Sequence, residues 1–207
     1  MKTYLLATTA AVLMAGPLMA GGLVQPTVEP VIATPAPVVA PVYDWSGAYV
    51  GATGGWQFGS STLDPGATVD VDGAASYGAF AGYNFQNGNM VYGGELAAGL
   101  YNGFPVGSPT ASYDYVIDAK ARAGIAMDNV LLYGFAGPSL ASFTDAGANQ
   151  YNLLGANFGV GGEYGVTDNL SVGLEYIGHY LTGDTAAPAT TQTDWLHGVQ
   201  ARVALRF

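Results

Sequence analysis

The segment SYDYVIDAKARAGIAM, at residues 112–127, alternates two kinds of side chain along its whole length. One parity is apolar: Tyr113, Tyr115, Ile117, Ala119, Ala121, Ala123, Ile125 and Met127. The other parity consists of Ser112, Asp114, Val116, Asp118, Lys120, Arg122, Gly124 and Ala126, and it contains every charged residue of the segment. Because successive side chains of a strand point to opposite faces, this pattern predicts a long β-strand with one apolar and one polar face.

The same period-two pattern recurs along the chain from Asp44 onward. It predicts eight strands, at residues 45–58, 75–86, 90–101, 112–127, 130–142, 152–166, 170–181 and 194–207. Short turns at Asn87-Gly88-Asn89, Asp128-Asn129 and Thr167-Asp168-Asn169 alternate with long connections at about 59–74, 102–111, 143–151 and 182–193. This rhythm is typical of an up-and-down meander, and eight tilted antiparallel strands can close into a barrel without exposed edges.

Composition indicates which face of this barrel points outward. Only 10% of the residues are charged, too few to coat the water-facing surface of a soluble barrel such as a lipocalin, and the chain has no cysteine for disulfides. Aromatic residues gather near the predicted strand ends, as in the girdles of membrane barrels: Trp45, Tyr83, Phe85, Tyr92, Tyr101, Tyr133, Tyr164, Tyr180, Trp195 and Phe207. The sequence therefore predicts an all-β, eight-stranded antiparallel up-and-down transmembrane β-barrel at 44–207, with its apolar face toward lipid.

Two segments before the barrel are predicted to have other roles. Residues 1–20 combine Lys2, an apolar stretch and small residues at the exit, which is the arrangement of a secretory signal peptide cleaved after Ala20. The alternative is a retained membrane anchor, although a Gly-Pro pair interrupts the apolar run. Residues 21–43 carry a proline every two to five positions, which predicts an extended spacer; the alternative is a docking strip for a partner.

Motifs at the two ends of the predicted barrel resemble a known family. The stretch DWSGAYVGATGGW, at 44–56, is similar to the first strand of the small outer-membrane β-barrel proteins of Gram-negative bacteria, such as the transmembrane domain of OmpA and the porin-like immunogenic surface proteins. Ala48 departs from that pattern, where the family more often has an aromatic residue. Val203, Leu205 and Phe207 resemble the closing-strand signal by which this class is recognised for insertion.

The resemblance implies a location and a set of partners. It places the barrel in the outer membrane, in contact with lipid and lipopolysaccharide, and the Pro-rich segment 21–43 in the periplasm. It also implies that the barrel-insertion machinery engages the C-terminal strand. A further partner in the envelope is left open, whereas a net charge of −10 makes nucleic acid a poor partner.

Nine charged side chains fall on the parity that points into the barrel: Glu95, Asp114, Asp118, Lys120, Arg122, Glu163, Glu175, Arg202 and Arg206. Unpaired charges are costly away from bulk water, so we expect acids and bases to pair into a plug of ion pairs. This interpretation predicts a structural surface barrel that contributes to envelope integrity. The alternative is a selectivity ring in a small porin-like channel for ions or small solutes.

Sequence patterns give little support for catalysis or for a metal site. Some barrels of this class resemble lipid-modifying enzymes, but parity places His179 toward the lumen and His197 toward lipid, and neither has a serine two residues away. The acidic stretch at 64–73 lacks the EF-hand pattern. The glycines of GVGGEYG, at 159–165, lie within an alternating strand and are expected to relieve crowding in the barrel. We therefore predict no enzymatic activity, cofactor or metal.

Overall fold

The computed structural model describes residues 43–64, 66, 68–101, 111–185 and 190–207. These residues form eight strands: β1 (Gly47–Asp64), β2 (Thr68–Asn87), β3 (Met90–Tyr101), β4 (Ser112–Met127), β5 (Val130–Thr144), β6 (Gln150–Thr167), β7 (Leu170–Thr185) and β8 (Thr190–Arg206). The predicted leader at 1–20, and all but the last residue of 21–43, lie outside the described residues. Across the described ranges, no helix has the length and apolarity needed to cross a membrane.

Each strand pairs antiparallel with its neighbours in the chain, and β1 also pairs with β8, so the sheet closes on itself. The closing seam runs from Tyr49–Arg206 to Asp64–Thr191. Closure gives every strand two hydrogen-bonding neighbours, which removes the exposed edges that an open sheet would present. The predicted fold class, an eight-stranded antiparallel barrel, is confirmed.

Several strands are longer than the sequence predicts. β1 and β2 stay paired as far as Thr62 and Thr68, and β7 and β8 stay paired through most of 182–193, so two of the predicted long connections are largely strand. Their Ser and Thr content suggested loops, but β-branched threonine suits a strand, and pairing with a neighbour decides the conformation. The barrel has a turn end, where β2–β3, β4–β5 and β6–β7 are joined by two residues each, and an opposite loop end.

The outward side chains form an apolar belt around the barrel. On β8 they run, from the turn end toward the loop end, through Phe207, Leu205, Val203, Ala201, Val199, His197 and Trp195, and then Thr193 and Thr191. The large apolar residues of this row are 46 to 78% exposed. A belt of this kind suits contact with lipid and would be unfavourable in water.

Three aromatic residues that the sequence assigned to the outer girdle lie inside the barrel instead. Trp45 is completely buried, Tyr133 is 4% exposed, and Tyr101 packs against buried lumen residues. Trp45 precedes β1, so strand parity does not govern it, whereas Tyr101 and Tyr133 stand on the inward parity of their strands. Nearness to a strand end therefore did not distinguish inner from outer aromatic residues.

Two apolar clusters occupy the two ends of the lumen. The loop-end cluster consists of Val71, Ala74, Ala111, Tyr113, Val116, Ala141, Phe143, Leu153, Leu181 and Leu196. The turn-end cluster consists of Trp45, Val91, Ala126, Leu131, Tyr133, Phe135 and Ile177. Charged side chains lie between them, together with a third apolar cluster of Tyr49, Phe80 and Ala204. Phe135 of the turn-end cluster reaches the level of these charges, with its ring centroid 4.5 Å from Lys120 Nζ.

Candidate functional site

Six ionised side chains meet in the middle of the lumen, and we call them the charge network: Glu95, Lys120, Arg122, Glu163, Glu175 and Arg202. They come from β3, β4, β6, β7 and β8, so barrel closure is needed to bring them together. Each of these side chains is at most 4% exposed. Three carboxylates face three cations, so the network is neutral as a whole.

Glu95 is the acidic centre of the charge network. Its carboxylate lies 3.3 Å from Lys120 Nζ, 3.0 Å from Arg122 Nη1 and 2.6 Å from Arg202 Nη2. One carboxylate thus contacts all three cations. The shortest of these contacts, from Arg202, is a charge-assisted hydrogen bond of the strong class, which offsets part of the cost of removing the charges from water.

Arg202 is the basic centre. Besides Glu95, it contacts Glu175 at 2.8 Å and Glu163 at 3.5 Å. Glu175 also pairs with Lys120 at 2.7 Å, and Glu163 also pairs with Arg122 at 2.7 Å. Every member therefore has at least two partners of opposite charge, and losing one contact leaves no charge alone.

Aromatic side chains surround the charge network. Tyr49 donates a hydrogen bond to Glu95 at 3.2 Å, and the guanidinium carbon of Arg122 lies 3.9 Å from the ring centroid of Tyr133. The guanidinium carbon of Arg202 lies 3.9 Å from the ring centroid of Phe80. Such cation–π contacts place rings where water would otherwise solvate the guanidinium groups.

Glycines on the facing strands make room for these rings. Phe80 pairs with Gly51 across β1 and β2, and Tyr133 pairs with Gly161 across β5 and β6. A Cβ atom at Gly51 would lie 2.3 Å from the Phe80 ring, and one at Gly161 would lie 2.4 Å from the Tyr133 ring. Gly161, one of the glycines of 159–165, thus relieves crowding inside the barrel, as its place in an alternating strand indicates.

Asp118 belongs to a separate buried group nearer the loop end. Its carboxylate lies 3.1 Å from His179 Nε2 and accepts a hydrogen bond from Ser139 Oγ at 2.5 Å. The amide of Asn157 donates to the same serine at 3.0 Å. Parity correctly placed His179 in the lumen, but the sequence carried no indication that it would be the partner of Asp118, because β4 and β7 are not neighbouring strands.

Asp114 lies outside the charge network, contrary to the prediction. The β4–β5 register shifts immediately after Tyr113, and this bulge buries Tyr113 in the loop-end cluster, where its hydroxyl bonds to Asp194. Asp114 instead accepts hydrogen bonds from Thr144 at 2.8 Å and Ser142 at 3.1 Å. One extra residue in a strand reverses the faces beyond it, and alternation alone does not reveal where this happens.

Arg206 also lies apart from the charge network. Its guanidinium carbon is 4.5 Å from the Trp45 ring and 5.5 Å from the Tyr43 ring, and Nη1 donates to the carbonyl of Asp44 at 3.3 Å. The ion pairs found among the described residues do not include it. Parity correctly placed Arg206 inward, but the chain leading into β1 covers it at the turn end.

The residues of the predicted assembly motif lie on the outside of β8. Val203, Leu205 and Phe207 are 49, 51 and 78% exposed, respectively. The backbone N–H of Phe207 donates to the carbonyl of Ala48 at 2.9 Å, so the motif forms part of the seam between the first and last strands.

Exposed carboxylates at the loop end make local contacts. Asp145 accepts hydrogen bonds from the backbone and side chain of Asn149, which hold the pKa of its carboxyl below the usual range. Asp184 accepts a hydrogen bond from Thr191. In the part of the chain that the structure describes, His, Asp and Glu side chains form no group of three that could hold a metal ion.

Comparisons with known proteins agree with this architecture. The sequence profile of the family described as "Outer membrane protein beta-barrel domain" matches residues 30–207. A 22 kDa outer membrane protein of Rhizobium leguminosarum bv. viciae is 33% identical over 143 residues, which cover 67% of this chain and 65% of that protein. A 25 kDa outer-membrane immunogenic protein of Brucella melitensis is 31% identical over 152 residues, which cover 69% and 68%. The chain therefore spans about two thirds of the length of these relatives.

The fold is similar to that of a solved structure. The crystal structure of Neisserial surface protein A matches with a TM-score of 0.56 and 20% sequence identity, covering 78% of this chain and 98% of that protein. At this level of identity the likeness concerns the fold alone.

Proposed function

The chain belongs to the family of outer-membrane β-barrel proteins, and on that premise we propose that it is a structural component of the envelope whose lumen is closed. Its location in the outer membrane brings the outer belt into contact with lipid. The observation that carries the proposal is the charge network, in which six buried side chains of five strands neutralise one another in the middle of the lumen.

Packing on both sides of the charge network supports a closed lumen. The interior of an eight-stranded barrel is only about wide enough for its own side chains. The loop-end cluster and the turn-end cluster add apolar packing inside the barrel on either side of most of these charges. A cavity lined by Asp118, Lys120 and His179 has a volume of about 30 Å³, which is room for one or two water molecules rather than a conducting path.

One histidine lies inside the barrel and the other on its outer surface, so the two cannot form one catalytic site, and the proposal assigns no catalysis to them. His179 is 1% exposed and is paired with Asp118 inside the barrel. His197 lies on the outer surface, where its Nδ1 is 2.7 Å from the hydroxyl of Tyr176. The relatives described above are named as outer membrane proteins, which agrees with a non-enzymatic role.

Orientation follows the rule for this class of barrel, in which short turns face the periplasm and longer loops face outward. The proposal therefore puts the turn end, with Trp45 and Arg206, in the periplasm. It also makes residues 1–20 a cleaved leader and 21–43 a periplasmic spacer.

Solute flux into proteoliposomes tests the closed lumen. We expect liposomes that contain the folded protein to swell in small amino acids and monosaccharides no faster than protein-free liposomes do. Liposomes that contain a general porin serve as the positive control. Swelling above the protein-free rate would favour the porin-like alternative.

Assembly is proposed to depend on Val203, Leu205 and Phe207, which the barrel-insertion machinery would engage. We expect deletion of Phe207 to lower the amount of folded protein in the outer membrane without blocking export, because the terminal ring of the motif is lost. The matched control is Phe85→Ala, which removes another exposed ring, from β2. Fractionation followed by a gel of unboiled samples measures the outcome, and equal levels for both variants would refute this role.

A further inference from the structure

The buried pair of Asp118 and His179 lies beside the charge network without belonging to it. His179 Nε2 lies 3.1 Å from both carboxylate oxygens of Asp118, and the two side chains are 9% exposed for Asp118 and 1% exposed for His179. They come from β4 and β7, so they face each other across the lumen. A histidine ring holds either one or two protons, so the net charge of the pair depends on the state of the ring.

Hydrogen bonds to Asp118 indicate that its carboxylate is ionised. The hydroxyl of Ser139 donates to Oδ1 at 2.5 Å, and the amide of Asn157 donates to the same oxygen at 3.5 Å. An ionised carboxylate only accepts hydrogen bonds, so donors on Oδ1 and an imidazole nitrogen beside both oxygens suit the charged form. A buried charge of this kind is unfavourable unless a cation pairs with it.

Lys and Arg side chains do not supply that cation. In the charge network three cations already face three carboxylates. Within the described ranges, no Lys or Arg forms an ion pair with Asp118, whereas His179 lies within ion-pair distance of it. A positive charge on His179 therefore balances Asp118, as the network balances its own members.

A small cavity lies beside the pair, and we call it the lumen cavity. It has a volume of about 30 Å³, and the residues that line it include Gln57, Asp118, Lys120, His179 and Arg202. Three buried polar atoms of these lining residues make no hydrogen bond to the described part of the chain: Gln57 Oε1, His179 Nδ1 and Arg202 Nε. The three residues are at most 2% exposed, and they come from β1, β7 and β8.

These three atoms suit a bound water molecule. The Nε–H of Arg202 and the Nδ1–H of a charged His179 are donors, whereas Gln57 Oε1 is an acceptor. A water molecule can accept from the two donors and donate to the acceptor, and buried water typically makes about three hydrogen bonds. A cavity of about 30 Å³ has room for one or two water molecules.

We propose that the lumen cavity binds water and that His179 is an imidazolium ion whose charge balances Asp118. The bound water joins the Asp118–His179 pair to the charge network through Arg202. This site needs only the folded barrel, so it does not depend on whether the lumen conducts ions.

NMR of the His179 ring tests both parts of the proposal. The chain has two histidines, so His197→Gln leaves His179 as the only source of imidazole signals after ¹⁵N labelling of histidine. In the folded full chain at neutral pH, we expect a proton on each ring nitrogen and an NOE contact between the Nδ1 proton and a long-lived water molecule. A ring with one protonated nitrogen would overturn the charge assignment, and a missing water contact would overturn the water site.

Asp118→Asn tests whether the carboxylate holds the second proton on the ring. We expect His179 to lose one ring proton at the same pH, because no negative charge remains beside it. Asp114→Asn is the matched control, since it removes another carboxylate of β4, one that is bonded to Ser142 and Thr144. It should leave both ring protons in place. Two protons after Asp118→Asn, or one after Asp114→Asn, would contradict the charge assignment.

Gln57→Met tests the water site, because it removes the acceptor with little change in side-chain volume. We expect about tenfold shorter residence of the bound water, since one of its hydrogen bonds is lost. Gln150→Met, at an exposed position of the loop end, is the control and should leave the residence time unchanged. An equal residence time in both variants would refute the role of Gln57.

The unmodified chain decides the matter if a variant does not fold, because its His179 ring can be observed beside that of His197. Neither conductance nor flux is measured, so a negative result here is separate from a negative result for the closed lumen.

Discussion

Buried charges stabilise this barrel only as a set. Removing a carboxylate or guanidinium from water costs several kcal/mol, and attraction to a partner recovers that cost only when the geometry is good and the remaining polar atoms are bonded. Glu95 meets this condition by contacting three cations. Arg202 contacts three carboxylates, although its Nε makes no hydrogen bond. The contribution of any one charge therefore depends on the presence of its partners.

Glu95→Gln tests this dependence. It leaves three cations facing two carboxylates, and we expect the free energy of unfolding to fall by about 3–5 kcal/mol if the site is fully enclosed. Urea unfolding in lipid vesicles measures the change. Adding Lys120→Met should recover part of the loss, because it restores neutrality. Asp145→Asn, at an exposed loop position, is the control, and an equal effect of Glu95→Gln and Asp145→Asn would contradict the proposed role of the network.

At the scale of the strands, β5 contains an irregularity that its neighbour repairs. Pro138 has no N–H to donate, and the β4–β5 register skips Ala119 and Lys120 beside it. Asn157, on β6, donates its side-chain amide to the carbonyls of Ala119 at 3.2 Å and Pro138 at 3.0 Å. A side chain thus supplies hydrogen bonds where the backbone ladder is interrupted.

Asn157→Ala should weaken the pairing between β4 and β5. Leaving a buried carbonyl without its donor costs about 1–3 kcal/mol, so we expect faster amide hydrogen exchange in β4 and β5 than in β7 and β8. Pro138→Ala in the same chain supplies an N–H and should slow the exchange again. Asn152→Ala, at an exposed position of β6, is the control. Unchanged hydrogen exchange in β4 and β5 would show that Asn157 does not support the pairing of these two strands.

These strands also show what the sequence can and cannot predict. Alternation in 112–127 placed Lys120 and Arg122 inward, because the face of a residue depends only on its own strand. The position of Asp114 was wrong, because a bulge depends on pairing with β5. The Asp118–His179 pair could not be predicted, because its members face each other across the lumen from strands that are not neighbours.

For the whole molecule, the sequence predicted the barrel but not the layers of its interior. Turn residues and period-two segments fix the number and order of strands, and the low charge content fixes which face is outside. The separation into a loop-end cluster, a charge network and a turn-end cluster depends on the stagger of all eight strands, which a single sequence does not contain. Trp45, which precedes β1 and packs inside the barrel, shows this most clearly.

The central claim is that these three layers close the lumen to ions, and conductance across a planar lipid bilayer tests it most directly. The folded chain, verified by its altered mobility in unboiled gel samples, is inserted into the bilayer and recorded over a range of voltages. We expect no stable openings, because in the proposed closed lumen the charge network and the two apolar clusters occupy the bore. Long-lived, ion-selective openings in the unmodified chain would contradict the claim and identify the protein as a channel.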